Sequence, residues 1–233
     1  MRYFAYGSNM FFPRLQKLCP STLFLGVAWL SGHTLKWHKR SKDGSGKCSL
    51  AQTQGSGETV YGALFAVAEK EVRRLEQAEG PGYQKVSVQV NTSTGPLSAE
   101  TFVAKPESVD ESLLPYTWYR DLVIAGAVQA ELPEDYVNSL RGVQAEADPD
   151  AVREAKERLA LPSDTGRRRA RGKNTWKAFG TTLTTARCVG LRHSRKRSVG
   201  CGRSRSSAAQ PQRSGLSLPP SAPGFGKASW QSR

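Results

Sequence analysis

An apolar, aromatic run that breaks abruptly into Gly-Ser-Asn opens this chain, Tyr3-Phe4-Ala5-Tyr6-Gly7-Ser8-Asn9-Met10, and it leaves few folds open. Arg2 to Tyr6 reads as a buried strand. Gly7 allows a sharp turn and a close approach of backbone N–H groups to a ligand. Ser8 or Asn9 can cap the helical segment that follows. A strand that feeds a tight turn and then a helix start gathers several unpaired N–H donors in one place. That setting suits a carboxylate or a developing oxyanion. A plain strand–turn–helix junction would use the same residues, so the stretch fixes local structure before it fixes chemistry.

Charge divides the chain. Sixteen of the 34 Lys and Arg residues lie from Leu161 to Arg233, with Asp164 as the one acidic residue there. The first 160 residues therefore carry about −1 and the remainder +15. Residues 1–160 are long enough for one domain with its own core. Residues 161–233 are rich in Ser, Arg, Gly and Pro and poor in large aliphatics, and read as a basic, disordered tail. Cys19, Cys48, Cys188 and Cys201 form no Cys-x-x-Cys pair. They suggest neither a disulfide framework nor a zinc site, and the expectation is reduced thiols in a cytoplasmic protein. No secretory signal is read at the start, and no apolar run is long enough to span a membrane.

Along the first 160 residues, Phe11 to Leu18 shows helical spacing and Pro20 stops it. Thr22 to Leu30 is apolar throughout and reads as a strand buried on both faces. His33 to Trp37 reads as a further strand, Lys39 to Lys47 as a loop, and Ser49 to Thr53 as a short strand. Gln54 to Gly57 is read as a turn. Glu58 to Val67 is a strand with Val60, Gly62 and Leu64 on one face and Tyr61, Ala63 and Phe65 on the other. Glu69 to Glu79 is helical, with Val72 and Leu75 inward, and Gly80-Pro81 ends it. Tyr83 to Val90 and Leu97 to Ala104 form a hairpin. Tyr116 to Gln129 is an amphipathic helix, Glu134 to Arg141 another, and Asp148 to Leu159 a charged helix that either closes the domain or dangles from it. His33 and His38 lack ligand partners at metal spacing. Gly44-Ser45-Gly46-Lys47 lacks the glycine spacing of a phosphate cradle. The order of elements favours an α+β fold with a mixed or antiparallel sheet and helices outside it.

Two marks together carry a resemblance. The Tyr3–Met10 stretch resembles the N-terminal signature of the γ-glutamylcyclotransferase family, with its AIG2-like fold. Glu79-Gly80-Pro81-Gly82-Tyr83 resembles that family's second mark, a glutamate followed by Gly and Tyr. The resemblance covers roughly residues 1–142. It implies a small, closed or nearly closed β-barrel flanked by helices, with a cavity at its mouth. It implies that Glu79 is the catalytic proton carrier. It implies that Tyr3, Phe4, Ala5, Tyr6, Gly7, Ser8 and Asn9 form the γ-glutamyl pocket, that Tyr119 reaches the substrate, and that Tyr83 is a candidate for the pocket wall. A carboxylate at a helix C-terminus gains nothing from the helix dipole, and shielding from water would raise its pKa. That suits a group that takes and returns a proton near neutral pH. Glu76, one turn earlier, is the decoy.

The implied reaction releases 5-oxoproline and an amino acid from a γ-glutamyl amino acid, by attack of the substrate's own α-amine on its γ-carbonyl. It needs no metal and no cofactor. Asn9, where the glutathione-specific branch has leucine, favours the branch that acts on γ-glutamyl amino acids. The γ-glutamylamine and glutathione branches stay open, as does a non-catalytic domain tethered to nucleic acid by the basic tail. The expected partners are a small γ-glutamyl substrate and no membrane. Nucleic acid enters through the tail alone, with Arg167, Arg168, Arg169, Arg171 and Lys173 and the run Arg195-Lys196-Arg197 as its cationic clusters. A homodimer is compatible with all of these readings.

Overall fold

Strand alternation and two tight approaches at glycine build the architecture. The computed structural model describes residues 1–53 and 57–161. Seven strands run in chain order: β1 (Arg2–Ala5), β2 (Leu23–Ser31), β3 (His33–Arg40), β4 (Gly46–Gln52), β5 (Thr59–Ala66), β6 (Tyr83–Thr92) and β7 (Gly95–Ala104). Five of them close a barrel in the order β1-β5-β2-β6-β7. Four of its seams are antiparallel, and the fifth is a parallel pairing of β1 with β7 through Tyr3 and Glu100. β3 and β4 form a separate hairpin. Five helices lie outside the barrel: α1 (Phe12–Leu18), α2 (Glu69–Glu79), α3 (Thr117–Gln129), α4 (Glu134–Arg141) and α5 (Ala151–Arg158). The mixed, helix-flanked barrel is the fold class expected. The tail expected from residue 161 onward lies, from residue 162, outside the described residues, as does most of the turn at 54–57.

Along β5 the two faces separate as the alternation requires. Phe65 stacks on Phe12 of α1, and Tyr61 packs on Tyr136 of α4, so this face carries helices. On the other face Gly62 lies under Phe4. A Cβ there would fall 2.4 Å from the Ala5 carbonyl oxygen and 2.7 Å from the Phe4 ring, so no larger residue fits. β2 departs from expectation. It is not buried on both faces, because Leu23 and Leu25 are 52% and 49% exposed. Leu25 sits where the β2–β5 register slips between Phe24 and Gly26, and such a bulge turns side chains outward. The expected loop from Lys39 to Lys47 is shorter than read. The hairpin runs on to Arg40 and resumes at Gly46, and the Asp43–Lys47 ion pair (2.8 Å) clasps its turn.

The helix α3 is buried on more than one side, from Trp118 and Tyr119 through Leu122, Val123 and Ile124 to Ala127. It lies between the 3-10 turn Ser8–Met10 and helices α4 and α5. Gly126 permits that fit: a Cβ there would lie 2.5 Å from Phe11 N and 2.7 Å from Met10 Cβ. The last helix closes the domain. Asp150 caps α5 by accepting from the N–H groups of Val152 and Arg153, and Arg158 pairs with Asp121 of α3 at 3.2 Å. No helix among the described residues is long and apolar enough to cross a membrane.

Candidate active site

The end of β1 and the end of α2 meet, and this meeting makes the site. Strand β1 carries Tyr3 toward the C-terminus of α2, the 3-10 turn carries Asn9 to the same place, and α2 delivers Glu79 as its last residue. Asn9 Nδ2 donates to Glu79 Oε1 at 2.7 Å, and the Tyr3 hydroxyl donates to the same oxygen at 3.3 Å. Asn9 Nδ2 also lies 3.3 Å from the Tyr3 hydroxyl oxygen, so three side chains share one hydrogen-bonded cluster. Gly80, at φ 78°, takes the left-handed backbone that lets α2 stop immediately after the glutamate.

A cleft opens over this cluster. Tyr3, Tyr6, Gly7, Ser8, Asn9, Glu79, Tyr83 and Tyr119 line it, so most of the expected site residues come together. Phe4 and Ala5 do not line it. Both are buried in the core: alternation sends Phe4 to the face opposite Tyr3, against Gly62, while Ala5 shares the Tyr3 face but carries only a methyl. Tyr6 is fixed by donating its hydroxyl to the Phe102 carbonyl. Tyr83 donates to the Cys48 carbonyl at 2.7 Å, and the Tyr119 oxygen accepts from the Cys48 N–H at 3.1 Å. Cys48 and Phe102 complete the lining, and neither was singled out from the sequence. No chemical pattern marks them, although the short side chain of Cys48 fits its close approach: a Cβ on Gly7 would come within 3.1 Å of it. Glu76 is apart from this cluster and pairs with Lys85 at 2.5 Å.

Burial dominates the electrostatics. It pushes Glu79 from 4.5 up to about 7, against the opposing pull of the Tyr3 hydrogen bond, Arg14, Lys39 and the Asn9 hydrogen bond. Burial raises Tyr3, Tyr6, Tyr83 and Tyr119 well above the ordinary phenol range, so all four stay neutral hydroxyls. Burial also pushes the Cys48 thiol up to about 12, where it is no nucleophile near neutral pH. Glu79 is therefore the one lining group whose charge changes near pH 7. Around the backbone turn, Ser8 and Asn9 are the first residues of a helical turn, and their N–H groups have no intrahelical acceptor.

Behind Tyr119 sits a caged cation. Lys47 Nζ lies 4.6 Å from the ring centroids of both Trp118 and Tyr119, and pairs with Asp43. Asp43 also accepts from the N–H and hydroxyl of Ser45, so the Gly44–Lys47 stretch is satisfied internally and offers no phosphate cradle. His38 pairs with Glu111 at 2.6 Å, a partner 73 positions away that spacing could not reveal. No group of His, Cys, Asp and Glu among the described residues is placed to hold a metal.

Residues 59–140 match the AIG2-like family. The chain is similar to the γ-glutamylcyclotransferases of Mus musculus and Homo sapiens, at 26% identity over 157 and 155 residues. Each of those matches covers 61% of this chain and 78% of the relative. Among solved structures, one γ-glutamyl cyclotransferase superposes with a TM-score of 0.62 at 23% identity, covering 69% of this chain and 97% of that one. An uncharacterized protein from Homo sapiens superposes with a TM-score of 0.61 at 24% identity, covering 68% of this chain and 96% of that one.

Proposed function

Since the chain belongs to the AIG2-like/γ-glutamylcyclotransferase family, as a distant relative at about 26% identity, we propose that it cyclises γ-glutamyl amino acids to 5-oxoproline and a free amino acid. The observation that carries this reading is the shielded carboxyl of Glu79, with a pKa of about 7 and held on one oxygen by Asn9 and Tyr3. A group at that pKa can both take and return a proton at neutral pH.

The substrate's α-ammonium gives one proton to the Glu79 carboxylate. The freed amine attacks the γ-carbonyl carbon, a C–N bond closes a five-membered ring, and the carbonyl oxygen becomes an oxyanion. The N–H groups of Ser8 and Asn9 are the donors available to it. Collapse breaks the bond to the departing nitrogen, which receives the proton from Glu79. The ring nitrogen passes its second proton to the departing amine, which leaves as an ammonium, and Glu79 is a carboxylate again. Nucleophile and electrophile are tethered in one molecule, so the pocket's main contribution is to hold the bent conformer. The four neutral tyrosine hydroxyls supply direction without charge.

The reading is tested by 5-oxoproline release from γ-glutamyl amino acids, γ-glutamyl-lysine and glutathione. The best substrate is expected among the γ-glutamyl amino acids. Release from none of them, with folded protein in hand, overturns the reading.

A pH profile follows with a definite sign. Proton removal needs the carboxylate, so kcat/KM should rise with pH through about 7. The Asn9 hydrogen bond favours the carboxylate, so Asn9→Ala should move this acid limb to higher pH. A limb near the ordinary carboxyl range, or one that Asn9→Ala leaves in place, would remove Glu79 from the proton-transfer step.

A further inference from the structure

Lys39 lies beside the pocket wall, over the ring of the lining residue Tyr83. The β3–β4 register slips between Lys36 and Lys39, and this bulge re-aims the end of β3. Trp37 and Lys39, two residues apart, then meet two different pocket tyrosines. Trp37 meets Tyr119 edge-on at 6.0 Å, and Lys39 Nζ lies 4.6 Å over the Tyr83 ring. Gly82 makes room for the lysine stem, since a Cβ there would fall 2.9 Å from Lys39 Cε and 3.0 Å from Ser108 Oγ.

Two cations lie within the field of Glu79, Arg14 and Lys39. Arg14 is committed to Glu157 at 3.3 Å. Lys39 has neither an ion pair nor a side-chain hydrogen bond among the described residues, and its ammonium is partly desolvated, which lowers its pKa. A partly desolvated ammonium that makes no ion pair among the described residues gains from a carboxylate that a ligand brings to it. The γ-glutamyl half of the substrate is accounted for by Glu79 and the Ser8–Asn9 turn. A departing half that extends past Tyr83 would meet Lys39.

We propose that Lys39 is a specificity-determining residue that binds the α-carboxylate of the departing amino acid, with the Tyr83 ring as the floor beneath it. This rests on the cyclotransferase reading. It gives a residue basis for a preference for γ-glutamyl amino acids, whose departing nitrogen sits on a carbon bearing a carboxylate. Amines without that carboxylate are disfavoured.

The test compares γ-glutamyl-alanine with γ-glutamyl-ethylamide, which has the same departing nitrogen and two-carbon skeleton without the carboxylate. The purified full chain should prefer the alanine compound by about 10- to 100-fold in kcat/KM, the range of one charge-assisted hydrogen bond. Lys39→Met should reduce that ratio about tenfold or more, and Lys39→Arg should largely keep it. Three results overturn the proposal: no preference in the wild-type chain, a ratio unchanged in Lys39→Met, or equal losses on both compounds, which would place Lys39 on the γ-glutamyl half or on Glu79. The wild-type comparison stands even if Lys39→Met fails to fold. If the wild-type chain releases 5-oxoproline from neither compound, the cyclotransferase reading itself fails, and that outcome differs from all three.

Discussion

Replacing Glu79 with Gln is expected to lower kcat/KM for 5-oxoproline release about 10³-fold, within the range for a positioned general acid–base, and to raise the melting temperature at pH 8. The two effects share one cause. Burial holds the folded-state pKa near 7, against 4.5 for a free carboxyl, so the fold favours the neutral acid. The stabilisation tied to that proton is complete below about 4.5 and is lost as pH rises through about 7. At pH 8 the wild-type chain therefore carries a shielded carboxylate, at a cost of up to roughly 3 kcal/mol. Gln is nearly the same shape, can still accept from Asn9 and carries no charge. The stability gap should be largest at pH 8 and close toward pH 4, and thermal melts at both values would read it. Glu76→Gln is the control. Glu76 pairs with Lys85 away from the pocket, and its loss should change neither rate nor melting point much. An active Glu79→Gln would end the assignment of Glu79. A variant that is inactive but less stable at pH 8 would show that burial does not set the charge of this group.

The second large effect is expected at Gly126, which carries no chemistry. In an exposed helix, Gly→Ala gains about 1 kcal/mol from helix propensity. Here the added methyl would meet Phe11 N at 2.5 Å and Met10 C at 2.8 Å. Backbone cannot rotate aside as a side chain can, and such overpacking costs about 1–3 kcal/mol. Clash should win, so Gly126→Ala is expected to lose about 1–2 kcal/mol net by denaturant unfolding. It should also lose about tenfold or more in kcat/KM. Met10 follows Asn9 directly, so pushing it displaces the 2.7 Å contact on Glu79. Gly142→Ala provides the contrast: Gly142 has helical φ and ψ, and the nearest atom to an added Cβ is 3.5 Å away. It should be neutral or slightly stabilising. If the two variants behave alike, the packing of α3 on the 3-10 turn does not position the site.

These predictions also show where the chain could be read and where it could not. Strand β1, the end of α2 at Gly80 and the β6–β7 hairpin were legible because each is a local pattern: an aromatic run, a helix stop, a period of two. Glu79 and Asn9 were legible as members of two short motifs, but not the 2.7 Å bond that joins them across 70 positions. Closure of the barrel was out of reach of periodicity, since it depends on Tyr3 pairing with Glu100. The same limit misplaced Phe4 and Ala5, where a contiguous motif was read as a contiguous pocket although the strand sends Phe4 to the face opposite Tyr3 and buries the short side chain of Ala5. It also overfilled β2, because an apolar stretch does not reveal a bulge. Lys39 looked like the first residue of a charged loop. Its charge becomes informative only when the fold sets it over Tyr83 without an ion pair among the described residues.

The most direct test of the central claim is the identity of the products formed from γ-glutamyl-alanine by the purified chain at pH 8, followed by proton NMR. The mechanism predicts 5-oxoproline and alanine in equal amounts, with no glutamate. Glutamate and alanine would mean that water attacks the γ-carbonyl in place of the tethered amine, and would contradict the account of Glu79 and its pocket.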